Sequence, residues 1–131
     1  MVLMFVYGSL RKKGHNHQFL ENEEFLMKGF VKGTLFKLQE VPYPALLEGD
    51  GFIVGELYRV SENAESRIDF LEGFISENHP RNLYHKILVD VYNEHYQPVE
   101  KAYVYYFNPD FPNALHWTMT KADTNDYFPE D

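Results

Sequence analysis

MFVYGSLRKKG, Met4–Gly14, is an apolar run that stops at a Gly-Ser pair and then turns basic. Val2 and Leu3 extend the apolar part, so every position from Val2 to Tyr7 is hydrophobic. A short, unbroken run closed by glycine suits a strand buried on both faces, not one with a wet side. Gly8 and Ser9 leave room at the strand's end. Successive backbone N–H groups in such a turn form a concavity that accepts an anion. Arg11 and Lys12 are placed to add a favourable field, and a carboxylate or phosphate is the expected occupant. A plain strand-to-loop turn is the other reading. No G-x-x-x-x-G-K-[ST] occurs, so the turn is not a P-loop.

Further strand signals follow. Gly33–Leu38 and Phe52–Val60 are candidates, the second alternating in character, with Gly55 marking a bulge or bend. Lys86–Tyr92 and Lys101–Phe107 are two more, joined by a hairpin loop over Asn93–Pro98. Two helices are expected. Asn16–Leu26 follows Gly14. Ser61–Glu72 has Ser61 as its cap, Glu62 and Glu65 in its first turn and Gly73 at its end. Residues 108–131 read as an irregular segment with a late strand near His116–Thr120. No linker or repeat interrupts the chain, so residues 1–131 are expected to form a single domain. The expected fold class is α+β: a small mixed β-barrel flanked by short helices, with the first strand central.

Composition narrows the function. The 131 residues are 44% hydrophobic and 17% aromatic, which is globular rather than disordered. A formal net charge of −8 argues against nucleic acid and anionic membrane as partners. The chain has no cysteine, which removes disulfides, thiolate metal sites and a Cys nucleophile. The first residues lack the basic flank of a signal peptide, and no apolar run approaches the ~20 residues of a membrane span. A cytoplasmic location is the expectation.

Few side chains invite chemistry. Glu72 lies about 40° round the helix from Ile68, at the edge of the apolar stripe. A carboxylate buried there without a cation has a raised pKa, as a general base or acid near neutral pH requires. A surface residue at a helix end is the other reading. Asp69 is expected to point further towards solvent. His15 and His17 in GHNH face differently on a helix, and no second cluster of ligands stands near them, so no metal site is expected. Tyr103, Tyr105 and Tyr106 read as packing. Ser9 has no His–Asp pair placed to activate it, and there is no G-x-S-x-G elbow.

Six pieces in order carry a resemblance: FVYGSLRKKGHNH at the start, YPAL at Tyr43–Leu46, VGELYRV at Val54–Val60, IDFLEGF at Ile68–Phe74, LYHKILVDV at Leu83–Val91 and AYVYYF at Ala102–Phe107. On them the chain resembles the gamma-glutamylcyclotransferase-like family, most closely its gamma-glutamylamine cyclotransferase branch. The resemblance runs over about residues 1–107. It implies an enzyme that cyclises a gamma-glutamyl group to 5-oxoproline and releases the attached amine or amino acid. It places the acidic catalyst on Glu72 and the substrate-binding residues on Tyr7, Gly8, Ser9, Leu10 and Tyr84. The implied partner is a small gamma-glutamyl molecule, with no metal or organic cofactor required. GFISENHPRN, Gly73–Asn82, is expected to rim the site. The rival reading is a non-catalytic barrel of the same fold that binds a small anion or a partner.

Overall fold

The computed structural model describes residues 1–126. Six strands and one α-helix make up its regular structure: β1 (Val2–Val6), β2 (Glu24–Leu38), β3 (Pro44–Val60), α1 (Glu62–Leu71), β4 (Tyr84–Tyr92), β5 (Pro98–Phe107) and β6 (Met119–Lys121). Short 3₁₀ turns occupy His17–Phe19 and Pro112–His116. The strands form one mixed sheet in the order β3-β1-β5-β4-β2-β6, and β2 also pairs with β3. The sheet therefore curls into a ring. Its wall is uneven: β2 and β3 pair from Glu24↔Arg59 to Lys37↔Pro44, whereas β2 meets β4 at the single pair Phe30↔Tyr92. A partial ring with a thin seam describes it better than a continuous barrel.

β1 is central, as its composition predicts. It runs antiparallel to β3 on one side and parallel to β5 on the other. Its alternate side chains enter two different cores. Phe5 and Tyr7 pack inside the ring with Val31, Leu57 and Val104, while Met4 and Val6 pack towards α1 with Ala64 and Ile68. A strand between two apolar layers needs a hydrophobic residue at every position.

Three local expectations are corrected. Asn16–Leu26 is not a helix. It holds one 3₁₀ turn, Leu20 alone is fully buried, and β2 has begun by Glu24. The turn instead braces the end of β1: Asn16 donates to Ser9 through both backbone (3.0 Å) and side chain (2.9 Å), and His17 Nδ1 lies 2.9 Å from the Leu10 carbonyl. Gly55 makes no bulge. It sits in register opposite Gly29, and the register shifts fall between Phe25/Met27 and Lys32/Thr34. Its role is close approach, since a Cβ there would lie 2.3 Å from the Val6 carbonyl oxygen. The late strand starts at Met119, pairing with β2 at Leu38, and a 3₁₀ turn takes the residues before it. No helix among the described residues is long and apolar enough to cross a membrane.

Candidate active site

α1 delivers Glu72. Ser61 Oγ accepts the Ala64 N–H at 3.2 Å and starts the helix. Its end is a Schellman arrangement, with the Gly73 N–H donating to Phe70 and the Phe74 N–H to Asp69. Gly73 takes the left-handed conformation that this cap needs, at φ +66°. Glu72 is thereby the C-cap residue that follows α1, one turn beyond the fully buried Ile68. Its side chain enters a cavity of ≈580 Å³, mouth included, whose floor is the end of β1.

The structure brings together all six residues of the expected site. Tyr7, Gly8, Ser9 and Leu10 line this cavity with Glu72 and Tyr84. Three of the four tyrosines that line the cavity have their hydroxyl protons committed. Tyr7 donates to the Tyr105 carbonyl at 2.7 Å, Tyr84 to the Pro44 carbonyl at 2.5 Å, and Tyr105 to Asp69. Burial, together with the neighbouring Tyr84 and Glu72, holds the Tyr7 hydroxyl well above its ordinary range, so it stays neutral. The backbone of the turn is the reverse case. The N–H groups of Gly8, Ser9 and Leu10 donate to no atom among the described residues. Three N–H donors without a protein acceptor thus sit in a turn that lines the cavity, where the YGSL motif suggests an anion would bind.

Glu72 faces this turn with no hydrogen bond or ion pair to its carboxylate among the described residues. Burial pushes its carboxyl up from 4.5 to about 7. A carboxyl group at that value can both accept and return a proton near neutral pH.

Two electrostatic expectations fail. Arg11 does not serve the cavity. It is buried on the other side of the turn, beside Glu56 and 2.6 Å from the Asp126 carboxylate. Lys12 lies 3.6 Å over the Phe25 ring and gives its N–H to Glu56. Neither cation lines the cavity. Asp69 is not turned to solvent either. It accepts from Tyr105 and pairs with Lys86 at 3.1 Å, because β4 and β5 reach over that face of α1. Tyr105, read from sequence as packing, lines the cavity, as do His15, Asn16 and the Pro42–Pro44 segment. GHNH and YPAL were the only signals for these. No cluster of three or more metal-ligating side chains occurs among the described residues.

Residues 4–127 match the family model described as gamma-glutamyl cyclotransferase, AIG2-like. The chain belongs to this family. A protein of Methanocaldococcus jannaschii named "putative gamma-glutamylcyclotransferase" is 34% identical over 129 residues, covering 97% of this chain and 98% of its own. The gamma-L-glutamyl-butirosin B gamma-glutamyl cyclotransferase of Niallia circulans is 36% identical over 85 residues, 64% of this chain and 54% of the relative. Among solved structures, YkqA of Bacillus subtilis superposes with a TM-score of 0.69 at 28% identity, over 96% of this chain but 39% of that one. An AIG2-like protein of Mus musculus superposes with a TM-score of 0.74 over 97% of this chain and 88% of that one, at 22% identity, which speaks to the fold. Gamma-glutamyl cyclotransferase family members thus share this curled sheet.

Proposed function

We propose that this protein cyclises a gamma-glutamyl group to 5-oxoproline, with Glu72 as the proton shuttle. The observation that carries the reading is the pairing of two features across one cavity: a carboxyl group whose burial pushes it up to about 7, and three unspent N–H donors at the end of β1. Family membership and the names of the relatives support the same reaction class.

The chemistry follows from the substrate. Its α-nitrogen attacks its own side-chain carbonyl carbon, a C–N bond closes the five-membered ring, and the bond from that carbon to the leaving nitrogen breaks. Attack within one molecule has a high effective molarity, so no enzyme nucleophile is needed. The α-nitrogen must lose a proton before or during attack, and the leaving nitrogen must gain one. One carboxyl group of raised pKa performs both transfers. The substrate's α-carboxylate suits the concavity of Gly8, Ser9 and Leu10. The oxyanion on the attacked carbon draws on the backbone donors of this turn, because the hydroxyl protons of Tyr7, Tyr84 and Tyr105 are spent elsewhere. The residues that line the cavity require no metal or organic cofactor for these steps.

The test is direct detection of 5-oxoproline from the full chain incubated with gamma-glutamylamines, gamma-glutamyl amino acids and larger gamma-glutamyl amides. Product from at least one of them is expected. Binding of such compounds with no product from any would leave the non-catalytic anion-binding reading standing instead.

A further inference from the structure

Behind the cavity wall lies a cluster of charge that the proposed reaction does not use. Lys86 on β4 stands opposite Tyr105 on β5. Its side chain is only 8% exposed, and its ammonium is held by two carboxylates of α1, Glu65 and Asp69, the latter at 3.1 Å. Asp69 also takes the hydroxyl of Tyr105. Tyr105 lines the cavity, and its carbonyl accepts the Tyr7 hydroxyl. Asp69 precedes Glu72 by three residues, so the two side chains neighbour each other along the helix. A neutral Asn would anchor the Tyr105 hydroxyl as well. A buried ammonium held by two carboxylates does more, because it fixes charge at a defined place.

We propose that Asp69 and Lys86 are positioning residues for the reaction, acting on Glu72 through the anchored Tyr105 ring and through the charge they fix behind it. This inference rests on Glu72 being the proton shuttle. Two carboxylates against one ammonium leave a single net negative charge. Burial, and after it the hydrogen bond to Asp69 and the charges of Asp69, Glu72 and Glu65, holds the Tyr105 hydroxyl well above its ordinary range. The remaining titratable groups near Glu72 are Tyr7 on β1, Tyr84 on β4, Tyr43 before β3 and His15 in the loop after β1.

Charge sets the direction of each variant. Asp69→Asn keeps the shape and takes the cluster from one negative charge to none, which favours the ionised form of Glu72. Lys86→Met takes it to two negative charges, which disfavours that form. The experiment follows the side-chain carboxyl carbon of Glu72 by NMR through a pH titration of the full chain, assigned by its disappearance in Glu72→Gln. Asp69→Asn is expected to lower the Glu72 midpoint by about half to one pH unit, and Lys86→Met to raise it by a similar amount. The acid limb of kcat/KM for 5-oxoproline formation is expected to move with each midpoint. A merely structural role would not give shifts of opposite sign. Melting temperatures accompany each variant. Should one of the two not fold, Glu65→Gln replaces it and is expected to lower the midpoint. Coincident midpoints, or shifts of the same sign in Asp69→Asn and Lys86→Met, overturn the inference. The NMR titration needs no turnover, so its failure is distinguishable from a wild-type chain that makes no 5-oxoproline.

Discussion

Glu72→Gln is expected to stabilise the folded chain, and to do so chiefly above pH 5. Burial raises the folded carboxyl from 4.5 to about 7. Between those values the folded state keeps a proton that the unfolded chain has released, so stability is fully present below the lower value and falls as pH rises towards the upper one. At about 1.4 kcal/mol per pH unit, the loss reaches about 3 kcal/mol by pH 8, of which under about 1 kcal/mol is already lost at pH 5. Gln carries no such penalty. The variant should therefore gain on the wild type by about 2 kcal/mol between pH 5 and pH 8, the low end being apt because the side chain keeps some contact with solvent. For a domain of this size that is a relative shift of roughly 6–10 °C in melting temperature. Urea denaturation of both proteins at the two pH values, at matched ionic strength, measures it. A stability difference that is the same at pH 5 and pH 8, or a variant less stable than wild type at pH 8, would refute the claim that Glu72 is held in a desolvated site.

Other outcomes follow from the same geometry. The kcat/KM for 5-oxoproline formation should fall about tenfold per unit below pH 7 and level off above it, because only ionised Glu72 takes the proton. A profile flat from pH 5 to 8 contradicts this. Gly14→Ala should disorder the substrate turn, since a Cβ would lie 2.1 Å from the Ser9 carbonyl oxygen. A raised KM with Glu72 still titrating near 7 is the expected reading, and an unchanged KM the opposing one. At Gly8 a Cβ would stand 3.1 Å from Pro44 Cγ, against the cavity wall, so Gly8→Val should abolish measurable substrate binding by calorimetry. Normal KM in that variant would remove the turn from the site.

What could be read from sequence was local. Five consecutive apolar residues in β1 encode burial on both sides, and Ser61, Ile68 and Gly73 mark the start, face and end of α1 without help from elsewhere. Glu72 was legible for that reason: its position on the helix depends on a cap and a period, both written within a dozen residues. What was missed depends on distant partners. Glu24–Lys32 carries three charged residues and Gly29, a poor strand signal, yet it pairs along β3 for nearly its whole length. Asn16–Leu26 has helix-like composition, but its hydrogen bonds go to Ser9 and Leu10. Asp69 lies off the apolar stripe by helical period. Its environment is made by Lys86 and Tyr105, 17 and 36 residues away. Arg11 and Lys12 looked like ligand-binding cations because the groups that hold them lie off in sequence, Glu56 and Asp126 for Arg11 and the Phe25 ring for the Lys12 ammonium.

The proton shuttle at Glu72 is the step on which the proposed reaction depends. The deciding measurement is the rate of 5-oxoproline release by Glu72→Gln on a gamma-glutamyl compound that the wild type turns over, with substrate binding recorded on the same samples. Gln keeps the shape and polarity of the side chain and cannot take the proton from the substrate's α-nitrogen. The expected result is substrate still bound and turnover lower by ~10²–10⁴. Turnover by Glu72→Gln at the wild-type rate would contradict the account and place the base elsewhere in the cavity.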